Sequence, residues 1–271
     1  MLTFVLITCL ICIVIIYFIL YSTFESRSNI HYYTYFNKLT KKIEYNINNP
    51  FYKTFDQVYM SNSIKKEIDK NINDFIKHSP NFTIPKSLRI ILSGNEGIGK
   101  TTLIEAIATK FNYRIIHFPK NNYSEEMIHA FFNRKIIGNK NIILFNNINF
   151  DYLINNNNQL YDLLAEMITK NDNNNIFIFT FVDINLIPIT FSKNYHIHYH
   201  YHMDTNINYI MEMIIYNLEK YEKVSSEKIN NIKNNILKIN HKITPGGIIP
   251  YLVFNEDFGK SLDRFFKIIQ K

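Results

Sequence analysis

"ILSGNEGIGKTTLIEAIA", residues 91–108, decides the fold. Within it, Gly94-Asn95-Glu96-Gly97-Ile98-Gly99-Lys100-Thr101 matches G-x-x-x-x-G-K-[ST] at every position. The short apolar run "LRIILS" (88–93) precedes it and "KTTLIEAIATKF" (100–111) follows with the pattern of a helix. A strand before and a helix after are the setting in which this motif forms a phosphate-binding loop. Glycine lets the backbone turn its N–H groups inward around an anion. The helix that starts near Gly99 adds the positive end of its dipole. Lys100 is placed to reach β- and γ-phosphates, and the Thr101 hydroxyl to ligate Mg²⁺. The chain has only 7 glycines, so three at this spacing are not an ordinary glycine turn. The candidate nucleotide-binding residues are therefore Gly94, Asn95, Glu96, Gly97, Ile98, Gly99, Lys100, Thr101 and Thr102, with ATP and Mg²⁺ as the expected ligands.

Outward from the loop, apolar runs alternate with helical patterns. "YRIIHF" (113–118), "NIILFN" (141–146), "IFIFTF" (176–181) and "YHIHYHYH" (195–202) read as strands. "SEEMIHAFFN" (124–133) and "QLYDLLAEMITK" (159–170) read as helices between them. Strands that are apolar throughout and alternate with helices predict an α/β fold, a parallel sheet covered on both faces. Upstream, Ile64, Ile68, Ile72, Phe75 and Ile76 in "NSIKKEIDKNINDFIKHS" (62–79) recur at helical spacing and predict an amphipathic helix. From about residue 205 the strands stop, and "NINYIMEMIIYNLEKY", "SEKINNIKNNILKI" and "SLDRFFKIIQK" predict a small helical lid. Asn runs at 155–158 and 171–175 fall between elements and read as loops.

At the other end, "LTFVLITCLICIVIIYFILY", residues 2–21, carries no charge. About 20 apolar residues span the ~30 Å hydrocarbon core of a bilayer. No basic residue precedes the run and no small-residue cleavage site follows, so it reads as an uncleaved transmembrane anchor rather than a secretory signal. Arg27, Lys38, Lys41 and Lys42 lie on its C-terminal side, which places the remaining chain in the cytosol or an organelle matrix. The expected organisation is an anchor at 1–22, a polar Tyr-rich connector at 23–54, an α/β nucleotide domain at 55–204 and the lid at 205–271.

Composition adds exclusions. Both cysteines, Cys9 and Cys12, fall in the apolar segment, so neither a disulfide framework nor a cysteine metal site follows. The usage is rich in Asn, Ile, Lys, Tyr and Phe and poor in Gly and Pro, the mark of an AT-rich genome such as that of a virus or protist. The net charge of +7 then reads as lysine drift, because no dense basic block or aromatic-basic motif for nucleic acid accompanies it. His196, His198, His200 and His202 would share one face of a strand, but neighbours ~7 Å apart are poorly spaced for a common metal ion.

"TFDQVYMSNSIKKEIDKNINDFIKHSPNFTIPKSLRIILSGNEGIGKTTLIEAIA" resembles the entry to an AAA domain of the Bcs type. These are the mitochondrial chaperones that deliver the Rieske iron–sulfur protein to respiratory complex III, and their relatives. The resemblance continues through "NIILFNNIN", and "ITPGGIIPYLVFNEDFGKSL" resembles the family's lid segment, so that residues 54–265 are covered in all. It implies a ring-forming homo-oligomer, anchored by one N-terminal helix per subunit, that uses ATP to move or remodel a client protein at a membrane. The client is not legible.

Three departures from the family pattern bear on catalysis. The strand that should end in two acids ends in Asn146 and Asn147. The first acid would support Mg²⁺ and the second would polarise the attacking water; Asn147 cannot accept a proton. Asp151 lies past the strand end. The family's Thr-Asn sensor pair corresponds to Thr180-Phe181-Val182-Asp183, where Asp183 reaches the position only with a one-residue slip. In "TFSKNY" (190–195), where the family has its arginine finger, Lys193 is the one cation. An arginine finger contributes ~10³-fold or more and a general base ~10²–10⁴-fold. The expectation is an ATP-binding protein with weak or lost hydrolysis; the alternative is an active ATPase driving translocation or assembly.

Overall fold

The computed structural model describes residues 29–48, 50–77, 86–120, 123–133, 140–147, 158–171, 174–187, 190–204, 206–219, 225–238 and 244–248. The expected anchor, residues 155–157 of the expected 155–158 loop and the helix "SLDRFFKIIQK" lie outside them, and Asn158 is helical. Among the described residues no helix is long and apolar enough to cross a membrane.

Strands β3 (Leu88–Ser93), β4 (Arg114–His117), β5 (Asn141–Asn146), β6 (Ile176–Phe181) and β7 (Tyr199–His202) run parallel. Two more, β1 (His31–Asn37) and β2 (Lys42–Ile47), complete a seven-stranded sheet in the order β2-β1-β4-β5-β6-β3-β7. All six residues of β3 and all six of β6 are buried, as expected of strands covered on both faces.

Period-two alternation sorts these apolar runs between two cores. Ile91, Ile143, Phe145, Phe177, Phe179 and Phe181 face one side. There they meet α3 (Glu125–Phe132), α4 (Asn158–Thr169) and the one-turn α5 (Phe191–Asn194). Leu88, Ile90, Leu92, Ile142, Leu144, Ile176 and Ile178 face the other. They pack on α1 (Asn62–Lys77) and α2 (Lys100–Phe111). The amphipathic α1 buries Ile68, Ile72 and Phe75, three of the residues its periodicity singles out. Helix α3 starts where Ser124 Oγ accepts the Met127 N–H at 3.2 Å, with Glu125 and Glu126 at the positive dipole end. A third cluster joins α6 (Ile207–Glu219), α7 (Ser226–Lys238) and Ile248.

Two elements differ from expectation. Within the polar connector, residues 31–47 form a β-hairpin that joins the sheet, β1 lying parallel to β4. Its turn is set by Asn37, whose Oδ1 accepts the Leu39 N–H at 3.0 Å and the Thr40 N–H at 3.3 Å, an Asx turn. In "YHIHYHYH" only Tyr199–His202 is strand. The α5 turn carries the chain into His196 at φ +47°, so His196 falls outside the alternation.

Phe179 stacks on Phe145 at 4.7 Å and meets Phe191 and Tyr195 edge-on. Phe179→Ala is expected to lower unfolding free energy by about 3–5 kcal/mol, read from denaturant midpoints.

Candidate functional site

The parallel register puts the C-terminal ends of β5, β6 and β3 side by side, since Asn146 pairs with Thr180 and Phe181 with Ser93. In open parallel sheets ligands bind at this edge, where strand order reverses. The order reverses at β3, flanked by β6 and β7, and the chain leaves β3 directly into the glycine loop.

Each glycine of the loop has a positive φ: +141° at Gly94, +72° at Gly97 and +104° at Gly99, the residue before α2. Gly94 is also the site of a close approach, because a Cβ there would lie 2.4 Å from the Met203 carbonyl oxygen. Lys100, 9% exposed, donates to the Gly94 and Asn95 carbonyls, the latter at 2.9 Å. Burial pushes its pKa down, and the nearby Glu96 carboxylate opposes that shift. The loop residues 96–102 line a cavity of about 480 Å³, within the size range of small-molecule sites. Gln57, Val58 and Tyr59 form one wall, and Met213, Tyr216 and Asn217 of α6 another. Burial raises the Tyr59 phenol to about 12, with lesser contributions from Tyr216 and Glu212, so it faces the cavity as a neutral hydroxyl.

Asn146 and Asn147 reach this cavity at the end of β5. Both are fixed by Thr180, whose hydroxyl donates to Asn146 Oδ1 at 2.8 Å and accepts the Asn147 N–H at 3.1 Å. Asn147 sits at φ +50°, a left-handed conformation that asparagine tolerates better than most residues. Of the suspected substitutes, Asp183 is exposed, accepts the Asn185 N–H at 2.9 Å and does not line the cavity. Lys193 is exposed on α5 and does not line it either. Asp151 lies outside the described residues.

Three features were not anticipated from the sequence. One is the Thr180 clamp. The second is the strap at 244–248: Gly246 N–H donates to Gly97 O at 2.7 Å, and a Cβ on Gly246 would stand 2.8 Å from Gly97 Cα. The Thr-Pro-Gly-Gly order carries that signal, since only a bare Cα fits against the loop backbone. The third is the polar chain behind the loop. Ser93 Oγ lies 2.8 Å from both His200 Nε2 and His202 Nδ1, and His202 Nε2 lies 2.8 Å from Asp204. With His202 donating to Asp204, its Nδ1 accepts from Ser93, whose oxygen accepts from His200. Burial, then His202, pushes His200 down. His198 accepts the Arg89 backbone N–H at 3.0 Å and is lowered to about 4 by burial, then by the Arg89 guanidinium. His198, His200 and His202 are thus engaged with β3, and among the described residues no group of three His, Cys, Asp or Glu is placed to hold a metal ion.

Residues 90–199 match the model of the family described as ATPase family associated with various cellular activities (AAA). The fold is similar to that in the structure of C. elegans PCH-2, with a TM-score of 0.56 over 80% of this chain and 70% of that one, at 12% identity. No curated protein matches the sequence. Over residues 90–199 the α/β domain thus resembles that family, and at 12% identity the likeness to the solved structure is one of fold.

Gly246→Ala is expected to lift the strap from the loop. Losing one hydrogen bond of about 1 kcal/mol should speed amide exchange roughly fivefold in the loop and the strap, read by hydrogen–deuterium exchange.

Proposed function

Starting from an AAA-type domain at residues 90–199, we propose a membrane-anchored ATP-binding protein of the Bcs-like remodelling kind in which hydrolysis is weak or lost. The observation that carries this is the pairing of an intact phosphate loop with Asn146 and Asn147 in one cavity. Binding rests on Lys100, the loop N–H groups and the α2 dipole, all retained. Fast hydrolysis needs a group that orients and polarises the attacking water, and the Asn147 amide cannot take its proton. Glu96, the one acid among the lining residues, belongs to the loop itself and is exposed. Thr101 would carry Mg²⁺ through its hydroxyl, with Asn146 offering a neutral oxygen to the metal's water shell.

Anchoring rests on the uncharged run at residues 2–21, and self-assembly into a ring on the AAA type of the domain. ATP would then act as a ligand that fixes the α6–α7 unit and its strap against the loop, a nucleotide-gated scaffold for a protein partner. The second reading, an active ATPase, rests on Asp151, five residues beyond Asn146.

The test pairs ATP binding with ATP turnover on the full chain. Saturable binding by the wild type, lost in Lys100→Ala, with turnover no higher than in that variant, is the expected result. Turnover well above the Lys100→Ala background would overturn it, and loss of that turnover in Asp151→Asn would assign the missing acid.

A further inference from the structure

Apart from the nucleotide site, the fold assembles a second constellation. His31 of β1, His117 of β4 and Glu105 of α2 come from three elements and form one chain. His31 Nε2 lies 2.9 Å from Glu105 Oε1, and His31 Nδ1 lies 2.8 Å from His117 Nε2. Both rings are buried, and burial, then His31, then Lys120, lowers His117 to about 3. The chain borders a cavity of about 500 Å³ lined by His31, Tyr33, Ile47, Asn48, Phe51 and Glu105.

We propose that this cavity binds an organic ammonium group, with choline the simplest carrier. Among the described residues that line the cavity, Glu105 is the one acid and there is no lysine or arginine. Burial first, then the Glu105 carboxylate, makes the Tyr33 phenol harder to ionise. Beside Ile47 and Asn48, the other lining residues are the rings of His31, Tyr33 and Phe51. Tyr33 stacks on His117 at 4.0 Å, and Phe51 tilts against His31 at 4.7 Å. Aromatic faces beside a carboxylate suit a weakly hydrated cation, through the ring quadrupole and the charge together.

Other ligand classes fit less well. An anion would meet only Glu105. A metal ion needs converging donors, and here Glu105 and His117 sit on opposite nitrogens of His31, so the three groups are strung in a line. A neutral apolar ligand would take water from the Glu105 carboxylate and bring no charge to it beyond its bond to His31.

His31 follows Tyr21, the end of the uncharged run, by ten residues, a reach of at most ~35 Å. If that run is a membrane anchor, as proposed above, choline headgroups as well as free choline lie within range. The ammonium site itself does not depend on the anchor or on ATP.

The experiment titrates choline into the full chain in a choline-free detergent, followed by calorimetry, with ATP binding measured in parallel. Saturable binding is expected, weakened about tenfold or more by Tyr33→Leu and by Glu105→Gln, while Tyr33→Leu keeps its ATP affinity. The neutral tert-butyl isostere of choline should bind about tenfold more weakly or not at all. No saturation by a wild-type chain that binds ATP, equal affinity for the isostere, or unchanged choline affinity in Tyr33→Leu would each overturn the proposal. Should Glu105→Gln fail to fold, Tyr33→Leu decides. If wild-type ATP binding also fails, the ATP reading falls separately, and the choline titration still judges this one. Vesicles with choline headgroups, compared with glycerol headgroups on the same acyl chains, separate the sources. Stronger retention on choline vesicles that Tyr33→Leu abolishes assigns the lipid, and equal retention with choline binding intact assigns the free ligand.

Discussion

Strand β3 is sealed on both faces and both edges, and the position of the phosphate loop depends on that. Leu88, Ile90 and Leu92 enter one core and Ile91 the other, while β6 and β7 pair along its two sides. A fully buried side chain of this size contributes ~1.5–3 kcal/mol, so the strand cannot slide without losing several such contributions at once. A one-residue slip would also turn Arg89 and Ser93 to the opposite face. Because the strand is fixed, Gly94 leaves it at a fixed point, and the Met203 carbonyl closing on Gly94 leaves no room for a side chain. The same end of β7 runs on into α6, so the loop and the helix beyond it share one attachment.

That attachment explains why a polar chain lies behind the loop. Ser93 is fully buried, and a buried hydroxyl requires partners. It finds two imidazoles and, through His202, Asp204. The arrangement ties the last residue of β3 to the last turn before α6 by hydrogen bonds rather than apolar contact. Movement of α6 and the strap relative to the sheet therefore works against a defined set of polar bonds.

The sheet and its flanking helices were legible because their signals are local and redundant. β3, β5 and β6 are mostly apolar runs, and α2 follows the one motif that fixes its own start. What was less legible is long-range or depends on a single atom. Polar residues 31–47 read as a connector because Tyr and Asn hide the alternation; the hairpin is held by pairing with β4 and by an Asx turn at Asn37. The histidine run alternates on paper from residue 196, yet a single turn of helix just before it shortens the strand. In the candidate site, the glycine loop was readable residue by residue, whereas Thr180 was not: its role comes from lying beside Asn146 across two strands 34 residues apart. Gly246 meets Gly97 across 149 residues (246 − 97), a contact no periodicity encodes.

The two asparagines differ from simple loss of acids in one physical respect. A pair of carboxylates beside bound triphosphate would repel it until a metal ion neutralised them, whereas two amides add no charge. Thr180 and the Asn147 backbone fill the hydrogen-bonding needs of that strand end without an anion, so the neutral pair is stably held rather than orphaned. In the proposed scaffold this favours occupancy over turnover: the loop and Lys100 supply the attraction, and among the described residues the exposed Glu96 is the one carboxylate lining the cavity. The helix that begins at that loop also carries Glu105, whose carboxylate is bonded to β1, the strand nearest the N-terminal run. Occupancy of the loop and the geometry of the hairpin therefore meet on one helix of 12 residues, by which a bound nucleotide would bear on the β1–β2 hairpin.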